Sequence, residues 1–181
     1  MPDTRPFLVH ATALRRVAGT TRHEHRHGVI EGLGTLSVVV PDGAEVEAEV
    51  TLSSYPGGIT ATGTVTAPWT GECRRCGGEV TGEVTAAVRE RYVPSEVDGT
   101  AVDPEADVYL LTDNLLDLEP LARDAVLLEL PLAPLCSADC RGLCPQCGTN
   151  RNLRSCTCEE PVDPRWAALA ELRDVEGGGS V

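Results

Sequence analysis

The segment Cys136 to Cys158 reads CSADCRGLCPQCGTNRNLRSCTC and holds six cysteines, with two more upstream at Cys73 and Cys76. Thiols at this density can form disulfides, run redox exchange or ligate metal. The spacing favours metal. C-x2-C occurs twice, at Cys73/Cys76 and Cys144/Cys147, and Pro145 and Gly148 of the second pair shape a tight knuckle that aims two thiolates and backbone N–H groups at one ion. Tetrahedral zinc takes four soft ligands at about 2.3 Å, and eight cysteines divide into two such sets. The preferred division is Cys73, Cys76, Cys136 and Cys140 around one structural zinc ion, and Cys144, Cys147, Cys156 and Cys158 around the other. C-x3-C and C-x-C are less usual ligand spacings than C-x2-C, so exchanges such as Cys140 for Cys156 stay open.

The rival chemistries fit less well. A redox C-x-x-C sits at a helix N-terminus after a strand, where the helix dipole lowers the thiol pKa. Cys73 and Cys76 instead lie between two strand-like runs, and Cys144 and Cys147 lead into Gly148 and polar loop. Catalytic zinc keeps an open position with mixed ligands and a general base nearby, whereas His10, His23, His25 and His27 all stand far upstream. No H-E-x-x-H, nucleophile elbow, P-loop or dinucleotide fingerprint occurs. The sequence thus predicts a protein that is not an enzyme. His23, His25 and His27 alternate in RHEHRH and can line one face of a strand, as a weak metal or phosphate site or, more simply, as a solvated polar face.

Composition bounds the setting. At 181 residues the chain fits one domain of ordinary size, or a domain with a small appendage. The start has no secretory h-region, and the most apolar run, Ala125 to Leu135, contains Glu129, Pro131 and Pro134 and is too short to span a bilayer. A cytoplasmic location follows as the expectation, and there thiols stay reduced, which again favours metal over disulfides. The net charge of −13 argues against a general basic surface for nucleic acid. Charge is uneven, however. Cys140 to Cys158 carries Arg141, Arg151 and Arg154 with no carboxylate, Arg74 and Arg75 lie between the first two cysteines, and the N-terminal segment is also basic.

The elements that must position these residues are mostly strands. TLSVVV ends at the turn signal Pro41-Asp42-Gly43. AEVEAEVTL alternates Glu45, Glu47 and Glu49 with Val46, Ala48 and Val50, the period of a half-buried strand with a wet Glu face. After the YPGG turn, two long Thr- and Val-rich runs flank Cys73 and Cys76. Val97 to Asp107 reads as an acidic loop. A helix near 117–130 follows, capped by Asp117, with Leu118, Leu121, Ala125 and Leu128 at helical spacing until Pro131 stops it. Beyond the cysteines, Asp163 and Pro164 open a second short helix with Trp166, Leu169, Ala170 and Leu172 as its apolar stripe. The expected fold is α+β: a mainly antiparallel sheet with a packed helix over 1–135, a cysteine-rich zinc-binding segment ending in a short helix over 136–175, and a disordered tail over 176–181.

ALRRVAGT, GECRRCGGEV, LLDLEPLARDAVLLELPLAPLC and, above all, CRGLCPQCGTNRN...CTC...DPRWAALAEL resemble the YceD family, the large ribosomal RNA subunit accumulation proteins, over nearly the whole chain. The resemblance implies a bacterial cytoplasmic ribosome biogenesis factor that supports accumulation or processing of large-subunit (23S) ribosomal RNA. It also implies a gene often found beside that of a small zinc-ribbon ribosomal protein. The residues constrain how RNA would be met. An acidic sheet is a poor RNA face, which leaves Arg141, Arg151 and Arg154 on the zinc-held loop, with Arg74 and Arg75, as candidate phosphate contacts. A second reading uses the acidic face of Glu45, Glu47 and Glu49 instead, as the docking surface of an assembly factor or chaperone for a basic zinc-ribbon ribosomal protein. Neither reading calls for a membrane or a small-molecule substrate.

Overall fold

Period-two alternation in Thr/Val-rich runs commits this chain to strands long enough to build one dominant sheet. The computed structural model describes residues 5–97, 100–101, 107–158 and Arg165. In chain order these form β1 (Leu8–His10), α1 (Thr12–Arg16), β2 (Thr21–Val29), β3 (Val38–Val39), β4 (Glu45–Tyr55), β5 (Gly58–Glu72) and β6 (Glu79–Pro94). They continue with β7 (Glu96–Val97), β8 (Thr100–Ala101), β9 (Tyr109–Leu111), β10 (Leu115–Asp117) and α2 (Glu119–Glu129). The fold is α+β, as the sequence predicts. The chain divides into two compact units, Met1–Ala138 and Asp139–Val181.

The first unit is built on a six-stranded sheet with the path β2-β4-β5-β6-β9, and β3 pairs with the far end of β5. Its pairs are antiparallel except β6 with β9, which run parallel. β1 and β10 make a separate two-stranded ribbon. In β4 the alternation works as expected: Val46, Ala48, Val50 and Leu52 are buried, while Glu45, Glu47 and Glu49 face solvent. Ile59, Ala61 and Val65 of β5 and Val84, Val88 and Tyr92 of β6 continue the same apolar face. The Tyr92 hydroxyl is carried into this core and satisfied there by donating to the Asp117 carbonyl at 3.0 Å.

Helix α2 covers the sheet, packing on β5 and β6. The Asp117 carboxylate accepts the Glu119 N–H at 2.9 Å, satisfying one of the donors that the first helical turn leaves open. The buried face differs from the expected stripe. Leu118, Leu121, Ala122, Val126 and Leu130 are buried, whereas Ala125 is only partly so and Leu128 is 86% exposed. Residues 118, 121, 125 and 128 are also spaced helically, but the stripe that meets the sheet is turned toward Ala122 and Val126, which leaves Leu128 on its flank.

Two other expectations are corrected. The run TLSVVV is a strand only at β3. Thr35 takes the start of the run into a tight turn: its N–H donates to Val38 O at 2.8 Å, and its hydroxyl accepts from Ser37 N and Val38 N. The segment from Val97 to Asp107 is not wholly loop, because β7 and β8 pair as a small antiparallel ribbon. The helix expected over Asp163 to Leu172 and the tail lie outside the described residues.

Candidate metal centres

The long β5 and β6 strands end together, Glu72 opposite Glu79, and the chain crossing between them carries Cys73 and Cys76. The turn closes through Cys73 N donating to Gly78 O at 2.7 Å and Gly77 N donating to Cys73 O at 2.8 Å. Gly77 has φ +67°, a left-handed conformation that costs a residue with a Cβ about 1–2 kcal/mol. The second C-x2-C repeats the device: Cys144 N donates to Thr149 O at 2.8 Å, Gly148 N donates to Cys144 O at 2.9 Å, and Gly148 has φ +70°. C-x2-C-G is therefore the common unit, and Gly77 does at the hairpin tip what Gly148 does in the second loop.

The eight sulfurs gather into two groups, Cys73, Cys76, Cys136 and Cys140, and Cys144, Cys147, Cys156 and Cys158. Within each group the sulfur atoms lie within 4.8 Å of one another. None of the eight is in a disulfide. The Cys76 and Cys136 sulfurs are 3.6 Å apart, far beyond a sulfur–sulfur bond but close to the roughly 3.8 Å edge of a thiolate tetrahedron around zinc. Four thiolates at this separation are a closed, soft donor set, so each group could hold a metal ion. Cys73, Cys140 and Cys144 are buried, and Cys136 and Cys147 are exposed.

The electrostatics suit charged sulfur. Backbone N–H groups around Cys73, that of Cys136 foremost, pull its pKa down to about 6. Those of Cys147 and Gln146 bring Cys144 down to about 6. Hydrogen bonding from Thr149 lowers Cys147, while the Cys147 sulfur, first among its neighbours, pushes Cys158 up to about 12. The knuckle amides thus hold negative charge at the first cysteine of each pair, as a cation-binding turn requires.

One residue around the sulfurs was not singled out by spacing. Asn152 accepts the Arg141 N–H through Oδ1 at 2.7 Å and turns its Nδ2 to the Cys140 sulfur at 3.2 Å. It is itself held by Asn150 Oδ1, which accepts the Asn152 N–H at 2.9 Å. Such outer contacts orient a ligand and tune its charge. The repeated Asn in N-R-N was the only sign of it in the sequence.

The candidate arginines separate. Arg141 and Arg151 line one depression with Ser155, Cys156 and Cys158. Arg154 is exposed but does not line it. Arg74 and Arg75 are exposed at the hairpin tip, where the Arg75 guanidinium reaches the Ala138 carbonyl at 3.4 Å. His23, His25 and His27 lie on the exposed face of β2, opposite Thr51, Glu49 and Glu47 of β4. Among the described residues, no helix is long and apolar enough to cross a membrane.

A β-rich protein with two knuckle-built cysteine centres is the class these features define. Residues 61–173 match the family described as large ribosomal RNA subunit accumulation protein YceD. An uncharacterized protein of Mycobacterium tuberculosis is 38% identical over 140 residues, which cover 77% of this chain and 68% of that protein. The Arabidopsis thaliana protein named large ribosomal RNA subunit accumulation protein YCED homolog 1, chloroplastic, is 28% identical over 162 residues, covering 74% of this chain and 50% of its own. An uncharacterized protein of Bacillus subtilis, YlbN, is 35% identical over 71 residues, 36% of this chain and 40% of that one. No solved structure matches. The chain belongs to the YceD family.

Proposed function

We propose that this protein is a cytoplasmic, non-enzymatic ribosome biogenesis factor that supports accumulation or processing of large-subunit ribosomal RNA. Two structural zinc ions would hold its cysteine loops in shape. Membership of the YceD family supports the ribosomal role. The observation that carries the RNA contact is the pairing of Arg141 and Arg151 over the second cysteine group, in a stretch from Cys140 to Cys158 without a carboxylate. Guanidinium groups fixed on a rigid loop lose little conformational entropy when they meet phosphate, and they bind it in a defined geometry. Zinc does no chemistry in this scheme. It replaces the hydrophobic core that the short segment lacks.

The second reading, docking of a basic zinc-ribbon ribosomal protein on Glu45, Glu47 and Glu49, draws on the exposure of all three. It is weakened by histidines already set against two of them: His25 meets Glu47, and His27 Nδ1 lies 3.3 Å from Glu45. In-cell ultraviolet cross-linking of tagged protein, with an Arg141/Arg151/Arg154→Ser variant alongside, separates the two. Enrichment at one large-subunit site that the variant loses supports direct RNA contact. Absence of enrichment, with salt-sensitive binding to the ribosomal protein that Glu→Gln changes abolish, supports the second reading.

A further inference from the structure

The cross-strand register of β2 and β4 assembles a set of metal donors that the cysteine centres do not use. His25 stands opposite Glu49, and His27 opposite Glu47, on the solvent face of the sheet. The His25 ring nitrogen and one oxygen each from Glu47 and Glu49 lie within 4.8 Å of one another. Nε2 of His25 hydrogen-bonds Glu47 Oε1, a contact that two donors sharing an ion would exchange for their bonds to it. His27 lies next along the same face, its ring centroid 6.0 Å from that of His25 and its Nδ1 3.3 Å from a Glu45 oxygen.

From this we infer that the outer face of the sheet carries a third metal site, formed by His25, Glu47 and Glu49 with His27 beside it, for a divalent transition ion of the zinc and nickel class. An imidazole with two carboxylates selects that class, because magnesium and calcium prefer all-oxygen shells. The three donors come from one side, so water completes the coordination and the ion remains open to exchange. The two residues in contact are about half exposed, at 54% and 51%, so this is a surface site and not part of the scaffold. It is independent of the RNA-contact reading and of what the cysteines hold.

The test uses the full chain, labelled with nitrogen-15, titrated with Ni2+ and, separately, with Mg2+. Broadening by Ni2+ is expected to concentrate on amides 23–27 and 45–51 and to saturate at one equivalent. His25→Ala and Glu47→Gln, both exposed and therefore compatible with the fold, should each weaken the response about tenfold or more. Mg2+ should leave these signals alone. Three outcomes would overturn the site: no broadening by Ni2+ at β2 and β4, broadening that both variants retain, or chemical-shift changes at the same amides when Mg2+ is added at the same concentration. Resonances of the cysteine loops report separately on any exchange there.

Discussion

The backbone N–H of Arg74 donates to the carbonyl of Pro134 at 2.9 Å, joining the tip of the β5–β6 hairpin to the chain that leaves α2. The bond lies one residue after Cys73 and two before Cys136, and it brings two stretches distant in sequence into register before any ion is considered. The Cys76 and Cys136 sulfurs, 3.6 Å apart, belong to the same two stretches. A metal bound there would lock a contact that the backbone already prefers.

The two cysteine groups should fail differently. Cys144→Ser removes a ligand whose partners are close in sequence, so hydrogen exchange is expected to rise within 139–158 while β4 and β5 stay protected. Cys73→Ser should raise exchange both at 72–79 and at 130–138, because its group ties distant segments. Native mass spectrometry should find two zinc ions in the parent chain and one in each variant. If both variants loosened the same residues, the division of the cysteines would be wrong.

Gly77 and Gly148 set the shape of the knuckles through backbone conformation alone, since a Cβ at either position would meet nothing within 4 Å. Gly148→Ala is expected to weaken zinc binding by about tenfold, from the roughly 1–2 kcal/mol that a left-handed residue costs. Gly148→Asn should weaken it less, because Asn enters that region more readily. Competition against a chromophoric chelator measures both.

Asn152 is expected to act through Cys140. Replacing it with Leu removes the amide that faces the Cys140 sulfur and the acceptor for Arg141 N–H, and should cost about 10–100-fold in affinity at the first cysteine group. Site-resolved zinc release, followed by alkylation of freed thiols and peptide mapping, should show Cys73, Cys76 and Cys136 exposed sooner. Equal release from both groups would remove the positioning role.

If Arg141 and Arg151 meet RNA phosphate, their joint replacement by Ser should reduce the dependence of log K on log salt by about 1.4–1.8, the counterions released by two contacts. Filter binding of large-subunit RNA over a salt series gives the slope. A weaker complex with an unchanged slope would assign these arginines to folding.

Helix α2 offers a contrast within one element. Leu121→Ala should destabilise by about 2–5 kcal/mol in urea unfolding, as a buried truncation that leaves a cavity. Leu128→Ala should stay within about 0.5 kcal/mol, since that side chain stands in solvent. Comparable losses would mean that the stripe runs through Leu128 after all.

What could be read in the chain before folding depended on range. The alternation of β4 and the C-x2-C spacing are local, and both are legible because side-chain direction and knuckle geometry are fixed within a few residues. In α2 the spacing identifies Leu118 and Leu121 correctly but continues to Ala125 and Leu128, which are as well spaced for a helix as the buried Ala122 and Val126, and only the sheet chooses between them. The turn at Asp113-Asn114, with φ of 51° and 60°, carried a two-residue signal that went unread, and with it β9 and β10. The division of the eight cysteines was legible in their order along the chain, with an exchange of Cys140 and Cys156 left open, whereas that His25 faces Glu49 is set by strand register, to which spacing is blind.

Strand β2 lies at one end of the six-stranded sheet, and among the described residues no strand pairs with its outer side. A nine-residue edge of this kind is a template on which another chain could add a strand. Here it carries Arg22, His23, Glu24, His25, Arg26 and His27 in unbroken succession, charged or ionisable on both faces. An incoming strand would have to strip water from all of them while matching alternating signs. The stretch that gathers metal donors on one face thus also guards the sheet against growing into an aggregate.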